Sequence, residues 1–199
     1  MKFLVPLGGD IGDSFGVLTS PAHKGVARGI IDGLPWAADN NAFTQGFEPV
    51  NYFSWLRNME PYRDMCLFVV VPDVVGDAIQ TGVNYRHWLR YFESWPVAFA
   101  AQDGQEYLPL PQYFDALFIG GSTQWKESQA AISVIRRAQK MGKAIHIGRV
   151  NWGRRYKMFN ILKGSESFTC DGTRTRFEGK SKTLRAWGGY EAQRPLITI

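Results

Sequence analysis

Short apolar runs separated by glycine-rich or polar turns recur along this chain, and most are followed by a stretch with apolar residues at helical spacing. Residues 3–6, 35–38, 67–71, 96–101, 116–119, 144–147 and 167–170 read as strands. The run Leu67-Phe68-Val69-Val70-Val71 is apolar at every position, as in a strand buried on both faces. Helices are expected over residues 49–59, where Val50, Phe53, Leu56 and Met59 recur, and over 78–92, with Ile79, Val83, Trp88, Leu89 and Phe92 inward. Two more are expected over 126–141, stopped by Gly142, and over 154–162. Residues 11–34 are rich in glycine and read as a long loop at the mouth of a site. Strands alternating with helices indicate a parallel α/β architecture. Its eighth strand is left open: residues 196–199 are one candidate, and a compact, incomplete barrel is the other.

The residues just after each strand give the pattern a chemical meaning. In α/β barrels the C-terminal strand ends converge on one face, so residues distant in sequence share a pocket. Here that set is Asp39, Asp73, Gln102, Gly120-Gly121, Arg149 and Asp171. Singly, each has an ordinary explanation: an Asx-turn after the strand for Asp39, a helix cap for Asp73 or Asp77, a turn for the glycines, a surface cation for Arg149. Jointly they supply carboxylates, an amide and small residues that let a flat ligand approach the backbone. The segment Asp39-Asn40-Asn41-Ala42-Phe43 suits a planar heterocycle, with an acid for protons, two amides and a stacking ring.

Composition narrows the class. The 199 residues are 45% hydrophobic and 14% aromatic, which fits one globular domain spanning 1–199 and excludes a disordered chain. No apolar run approaches the roughly 18 residues that span a bilayer, and residues 1–6 lack a signal-peptide pattern. A cytoplasmic protein with no membrane contact is therefore expected. Cys66 and Cys170 stand apart and form no Cys-x-x-Cys pair, so neither a disulfide framework nor a structural zinc site is read, and both are expected to be buried thiols. The formal charge is +5, and between Arg149 and Arg194 eleven Lys and Arg face four acids, a bias that suits a phosphate backbone. Residues from about 174 to 199 form a basic C-terminal extension.

Six segments in order carry a resemblance to a known family: Asp39-Asn40-Asn41-Ala42-Phe43, Pro72-Asp73-Val74-Val75-Gly76-Asp77, Gln102-Asp103-Gly104, Phe118-Ile119-Gly120-Gly121-Ser122, His146-Ile147-Gly148-Arg149-Val150-Asn151 and Asp171-Gly172-Thr173. From about Phe3 to Thr173 the chain resembles the compact, phage-type branch of the tRNA-guanine transglycosylase superfamily, the DpdA-like DNA deazaguanine transglycosylases. The resemblance implies a TIM-type (β/α)8 barrel, phage-encoded and acting in the host cytoplasm. Its activity would exchange guanine in DNA for a 7-deazaguanine base (preQ0- or preQ1-like) through a covalent aspartyl-sugar, with no cofactor.

Carried over residue by residue, the resemblance makes Asp39 the acid/base group and Asp171 the nucleophile. Asn40, Asn41, Phe43, Asp73, Gln102, Gly120 and Gly121 would hold the base, with Phe43 stacking, Asp73 reading the base edge and the two glycines offering backbone donors. Lys126, Arg149, Arg154, Arg174 and Arg176 would contact nucleic acid. Three departures stand out. The family's nucleophile precedes a cysteine, whereas Asp171 follows Cys170. Asn40-Asn41-Ala42 replaces Ser-Gly-Gly. The zinc site of the tRNA enzymes cannot be built from two isolated cysteines, which points away from tRNA. Two other readings fit the same residues: a non-catalytic nucleic-acid-binding relative, and a transferase acting on free nucleosides.

Overall fold

Eight parallel strands close into a barrel in chain order: β1 (Lys2–Pro6), β2 (Phe15–Thr19), β3 (Trp36–Ala38), β4 (Cys66–Val70), β5 (Val97–Ala101), β6 (Ala116–Ile119), β7 (Ala144–Ile147) and β8 (Phe168–Asp171), with β8 pairing back onto β1. The computed structural model describes residues 2–6, 15–42, 46–149 and 168–172. Five α-helices are described: α1 (Arg28–Ile31), α2 (Pro49–Asn58), α3 (Ala78–Trp88), α4 (Thr123–Lys126) and α5 (Gln129–Lys140). This is the parallel α/β barrel of TIM type expected, and it is closed, although the β5–β6 connection carries only a 3-10 turn at Gln105–Tyr107 in place of an α-helix. Phe43, Arg154, Arg174, Arg176, the helix expected over 154–162, the strand candidate at 196–199 and the basic extension lie outside the described residues. No described helix is long and apolar enough to cross a membrane.

The strands divide their side chains by the two-residue period. On β4, Phe68 and Val70 point into the barrel while Val69, and Val71 just after the strand, join the outer core; on β5, Ala98 and Ala100 point in, Phe99 and Ala101 out. Both faces are buried, which explains the unbroken apolar runs. The interior is built largely of small residues, Ala37, Ala98, Ala100, Ala116 and Ala144 among them, with Leu4, Phe68 and Phe118 as its bulk. Alanine at the upper interior positions leaves room above them, and that room becomes the site.

The loop expected over 11–34 is corrected: it contains β2, the missing eighth strand. Gly16 hid it, because glycine weakens the strand pattern. The packing explains the glycine. A Cβ there would lie 2.7 Å from the Pro35 carbonyl oxygen and 2.6 Å from Leu4 Cδ2, so only glycine admits the approach that lets Val17 N donate to Pro35 O at 2.9 Å.

Two helix faces are corrected in part. On α2 Leu56 is buried, Met59 just after it is buried and Phe53 packs against the core, as expected; only Val50, 83% exposed, is turned out, and Tyr52 is buried in addition. Over 78–92 Phe92 is buried and Trp88 and Leu89 pack against the core, as expected, but on α3 Ile79 and Val83 are exposed and Ala78, Thr81 and Tyr85 are buried in their place. On α3, side chains able to satisfy loop backbone took the inner face. Thr81 Oγ1 accepts from Val74 N and donates to Val74 O, and Tyr85 Oη donates to Tyr113 O at 2.6 Å. The helix expected over 126–141 is α5, which starts at Gln129 because the Ser128 hydroxyl caps it, accepting from Ala131 N, with the separate short turn α4 before it. Its buried face, including Ile132, Ile135 and Ala138, is the one expected. Asp77, not Asp73, caps α3, accepting from Gln80 N at 2.9 Å. Cys170 is buried and Cys66 half-buried; both are free thiols.

Candidate active site at the barrel mouth

A cavity of about 330 Å³ opens at the C-terminal strand ends, a size at the small end of ligand pockets and suited to a single heterocycle. Its floor is Leu18, Val70, Ala100 and Phe118. Around it stand Asp39, Asn40 and Asn41 after β3, Asp73 after β4, Gln102 after β5, Gly120 and Gly121 after β6, Gly148 and Arg149 after β7, and Asp171 on β8. All the described residues expected in the site therefore line one cavity.

Asp73 is the centre of a hydrogen-bond network whose orientation is fixed by its backbone partners. Gln102 Oε1 accepts from Gly76 N at 3.0 Å and Gly121 N at 2.8 Å, so its amide nitrogen must be the group donating to Asp73 Oδ2 at 2.5 Å. Asn40 Oδ1 accepts from Ala42 N at 2.8 Å, and its Nδ2 donates to Asp73 Oδ1 at 2.7 Å and to Val71 O at 3.2 Å. Asp73 thus acts only as an acceptor. Burial pushes its carboxyl up to about 6, against the Asn40 hydrogen bond and with help from the nearby charge of Asp39.

The network changes the roles of several expected base contacts. Asn40 and Gln102 are buried and committed to Asp73, so they position that carboxylate. Gly120 N donates to Ala101 O and Gly121 N to Gln102, so both expected backbone donors are engaged within the protein. What Gly121 contributes is conformation and space: its φ is +71°, and a Cβ would lie 2.5 Å from Asp103 Oδ2 and 2.8 Å from Trp125 Cε3. Asp103 cannot simply yield, because it accepts from Ser122 N and Ser122 Oγ at 2.7 and 2.6 Å. Gly121→Ala is expected to destabilise by about 2–5 kcal/mol, from left-handed strain and displaced neighbours together. Urea unfolding checks this, and a variant as stable as the wild type would contradict the packing described.

Asp39 Oδ1 accepts from Asn41 N at 3.1 Å, closing the Asx-turn that its sequence suggests, yet the carboxylate also faces the cavity. Burial pushes its pKa up. The Asn41 hydrogen bond opposes this, the charge of Asp171 adds to it, and His146 and Arg149 oppose it. Asp39 and Asp171 therefore sense each other's charge across one cavity. Asp171 Oδ1 accepts from Arg149 N at 2.9 Å and lies 3.1 Å from His146 Nε2.

Two rim residues hold left-handed backbone without being glycine: Asn41 at φ 62° and Arg149 at φ 58°. Asparagine tolerates this through local hydrogen bonds; arginine carries the steric cost of roughly 1–2 kcal/mol. Non-glycine strain of this kind concentrates at functional sites, and here it accompanies the Arg149 N–H bond to Asp171.

Lys126, expected to contact nucleic acid, is 3% exposed and donates from Nζ to Gly148 O at 3.0 Å. The single turn of α4 is pinned by Trp125, whose Nε1 donates to Glu106 at 2.8 Å, and this leaves Lys126 on the cavity wall. Sequence reasoning assigned no role to Thr19, Ser20 and His23, which β2 brings to the cavity, or to His146 beneath Asp171. The signal for His146 was present as a lone imidazole inside the apolar run Ala144-Ile145-His146-Ile147. No group of His, Cys, Asp and Glu among the described residues is arranged to hold a metal ion. No family model, curated protein or solved structure matches this chain.

Proposed function

We propose that the barrel exchanges guanine in DNA for a 7-deazaguanine base through a covalent link between Asp171 and the sugar. The observation that carries the reading is the convergence of Asp39, Asp73 and Asp171, from three different strand ends, on one small cavity. In the exchange, a carboxylate oxygen of Asp171 attacks C1′ and forms an ester-like bond. The C1′–N9 bond breaks, and its electron pair leaves with guanine. The departing base takes a proton supplied through Asp39, which its raised pKa suits to carry one. The incoming base returns a proton to Asp39 and attacks C1′, and Asp171 leaves as a carboxylate. The sugar-phosphate chain stays intact. Reaching so enclosed a site requires the target nucleotide to leave the stack, at a cost of a few kcal/mol. The excess of cations from Arg149 to Arg194 supports phosphate contacts that offset this cost.

Asp73 supports the choice of a guanine-like base. An ionised carboxylate is acceptor-only and complements the paired N–H donors on the pyrimidine edge of guanine or 7-deazaguanine. Because its carboxyl is raised to about 6, base affinity is expected to rise with pH through about 6 and level off above it, with binding at pH 5 about tenfold weaker. Stability should run the opposite way. Between 3.8 and about 6 the native state holds the proton more tightly than the unfolded chain, so the contribution is complete below 3.8 and lost as pH rises past about 6. The loss is about 3 kcal/mol. Calorimetric titration with the free base and urea melts from pH 4 to 8 would show the two opposed slopes. Affinity that is flat from pH 5 to 7 would remove Asp73 from base recognition.

The test of the function is mass spectrometry of nucleosides from DNA incubated with the protein and a 7-deazaguanine base. A deazaguanosine nucleoside, with equivalent guanine released, is the expected result. Exchange seen only on free nucleosides would move the substrate class, and DNA binding without exchange would make the chain a binding protein.

A further inference from the structure

We infer that His146 is a positioning residue for the nucleophile, donating a hydrogen bond from Nε2 that fixes one oxygen of Asp171 and leaves the other for the sugar. The inference rests on the transglycosylase reading and deepens it. His146 is fully buried in the barrel interior, where a polar ring has no packing reason to be. Its ring stacks on Phe118, with centroids 4.6 Å apart and planes 26° apart, and meets Phe68 at 5.0 Å, so it cannot readily rotate. Nε2 lies 3.1 Å from Asp171 Oδ1, and Nδ1 lies 2.8 Å from Thr169 Oγ1.

The chain of partners assigns the proton. An ionised carboxylate can only accept, so Nε2 carries the hydrogen; the Thr169 hydroxyl holds Nδ1 and can donate to it or accept from it. Strand geometry builds this column. Thr169 and Asp171 are two residues apart on β8 and share its inner face, and His146 is the register partner of Thr169 on β7. Arg149 N donates to the same Oδ1. Two donors converging on Oδ1 lock the carboxylate's rotation, and Oδ2 is the oxygen presented to C1′. Both bonds are strongest to the ionised carboxylate, so they also favour its departure when the incoming base takes the sugar.

The test compares His146→Gln with His146→Asn. The amide nitrogen of Gln falls near the position of Nε2 and preserves the donor to Asp171, whereas that of Asn falls near Nδ1 and reaches only toward Thr169. Adduct formation would be followed on DNA in single turnover without incoming base, beside thermal melts of each variant. Gln is expected to react within a few-fold of wild type. Asn is expected to react about 100-fold more slowly, the scale of a displaced reacting group, with a melting loss similar to that of Gln. Equal rates in the two variants, or rates that merely follow their melting temperatures, would overturn the inference while leaving the transglycosylase reading standing. A wild type that forms no adduct would overturn both. Should the variants fail to fold, ¹⁵N NMR of the wild-type imidazole decides: a ring protonated at Nε2 is expected, and one protonated only at Nδ1 overturns the proposal.

Discussion

Asp171→Asn is expected to reduce base exchange to background and to form no adduct with DNA, while leaving the protein folded. The asparagine carbonyl oxygen can still accept from His146 Nε2 and Arg149 N, so the contacts at Oδ1 survive, but an amide does not attack the anomeric carbon. Asp171→Ala should lose the same activity and also stability. It leaves the buried His146 donor unpaired, at about 1–3 kcal/mol, and the half-buried Arg149 N–H as well. A gap between the two variants in urea unfolding, with equal loss of exchange, separates the chemical role of the carboxylate from its structural one. Full exchange in Asp171→Asn would transfer the nucleophile's role to another acid.

Asp39→Ala should lose less. In the proposed exchange Asp39 would carry a proton for a base that leaves and another that arrives, and loss of a general acid/base typically costs about 100- to 10,000-fold. Because Asp171 is still in place, the adduct should form, slowly, and persist, since its breakdown also needs Asp39. Asp39→Ala is also expected to leave the fold stable, because a carboxylate whose pKa is raised by burial is a liability to the empty protein. Rapid-quench measurement of adduct and free guanine checks the first statement, and urea unfolding the second. An Asp39→Ala protein that turns over at the wild-type rate would show that solvent handles the proton.

Much of this arrangement was legible in the sequence, because strand ends announce themselves: an apolar run stops, and the next residue is polar or glycine. Asp39, Asp73, Gln102, Gly120 and Asp171 were all found by that rule, and the barrel brings them to one cavity. What escaped had physical reasons. The strand at Phe15–Thr19 was masked by Gly16, whose need arises only when Pro35 and Leu4 approach in three dimensions. Val50 of α2 and Ile79 and Val83 of α3 were expected inward and are exposed, because periodicity ranks residues by hydrophobicity. At α3 the deciding factor was instead whether Thr81 and Tyr85 could satisfy loop backbone groups. The pairing of Gln102 with Asp73 is invisible from residues 29 apart in the chain, so the sequence could not show that amides expected at the base are themselves hydrogen-bonded to a carboxylate.

The most direct measurement is the site of covalent attachment. Wild-type protein would be incubated with DNA in the absence of incoming base, denatured, digested with protease and nuclease, and mapped by tandem mass spectrometry. A deoxyribose phosphate fragment is expected on the carboxylate of Asp171, absent from Asp171→Asn. Attachment at Asp39, Asp73 or Asp103, or guanine release with no attachment to any carboxylate, would contradict it.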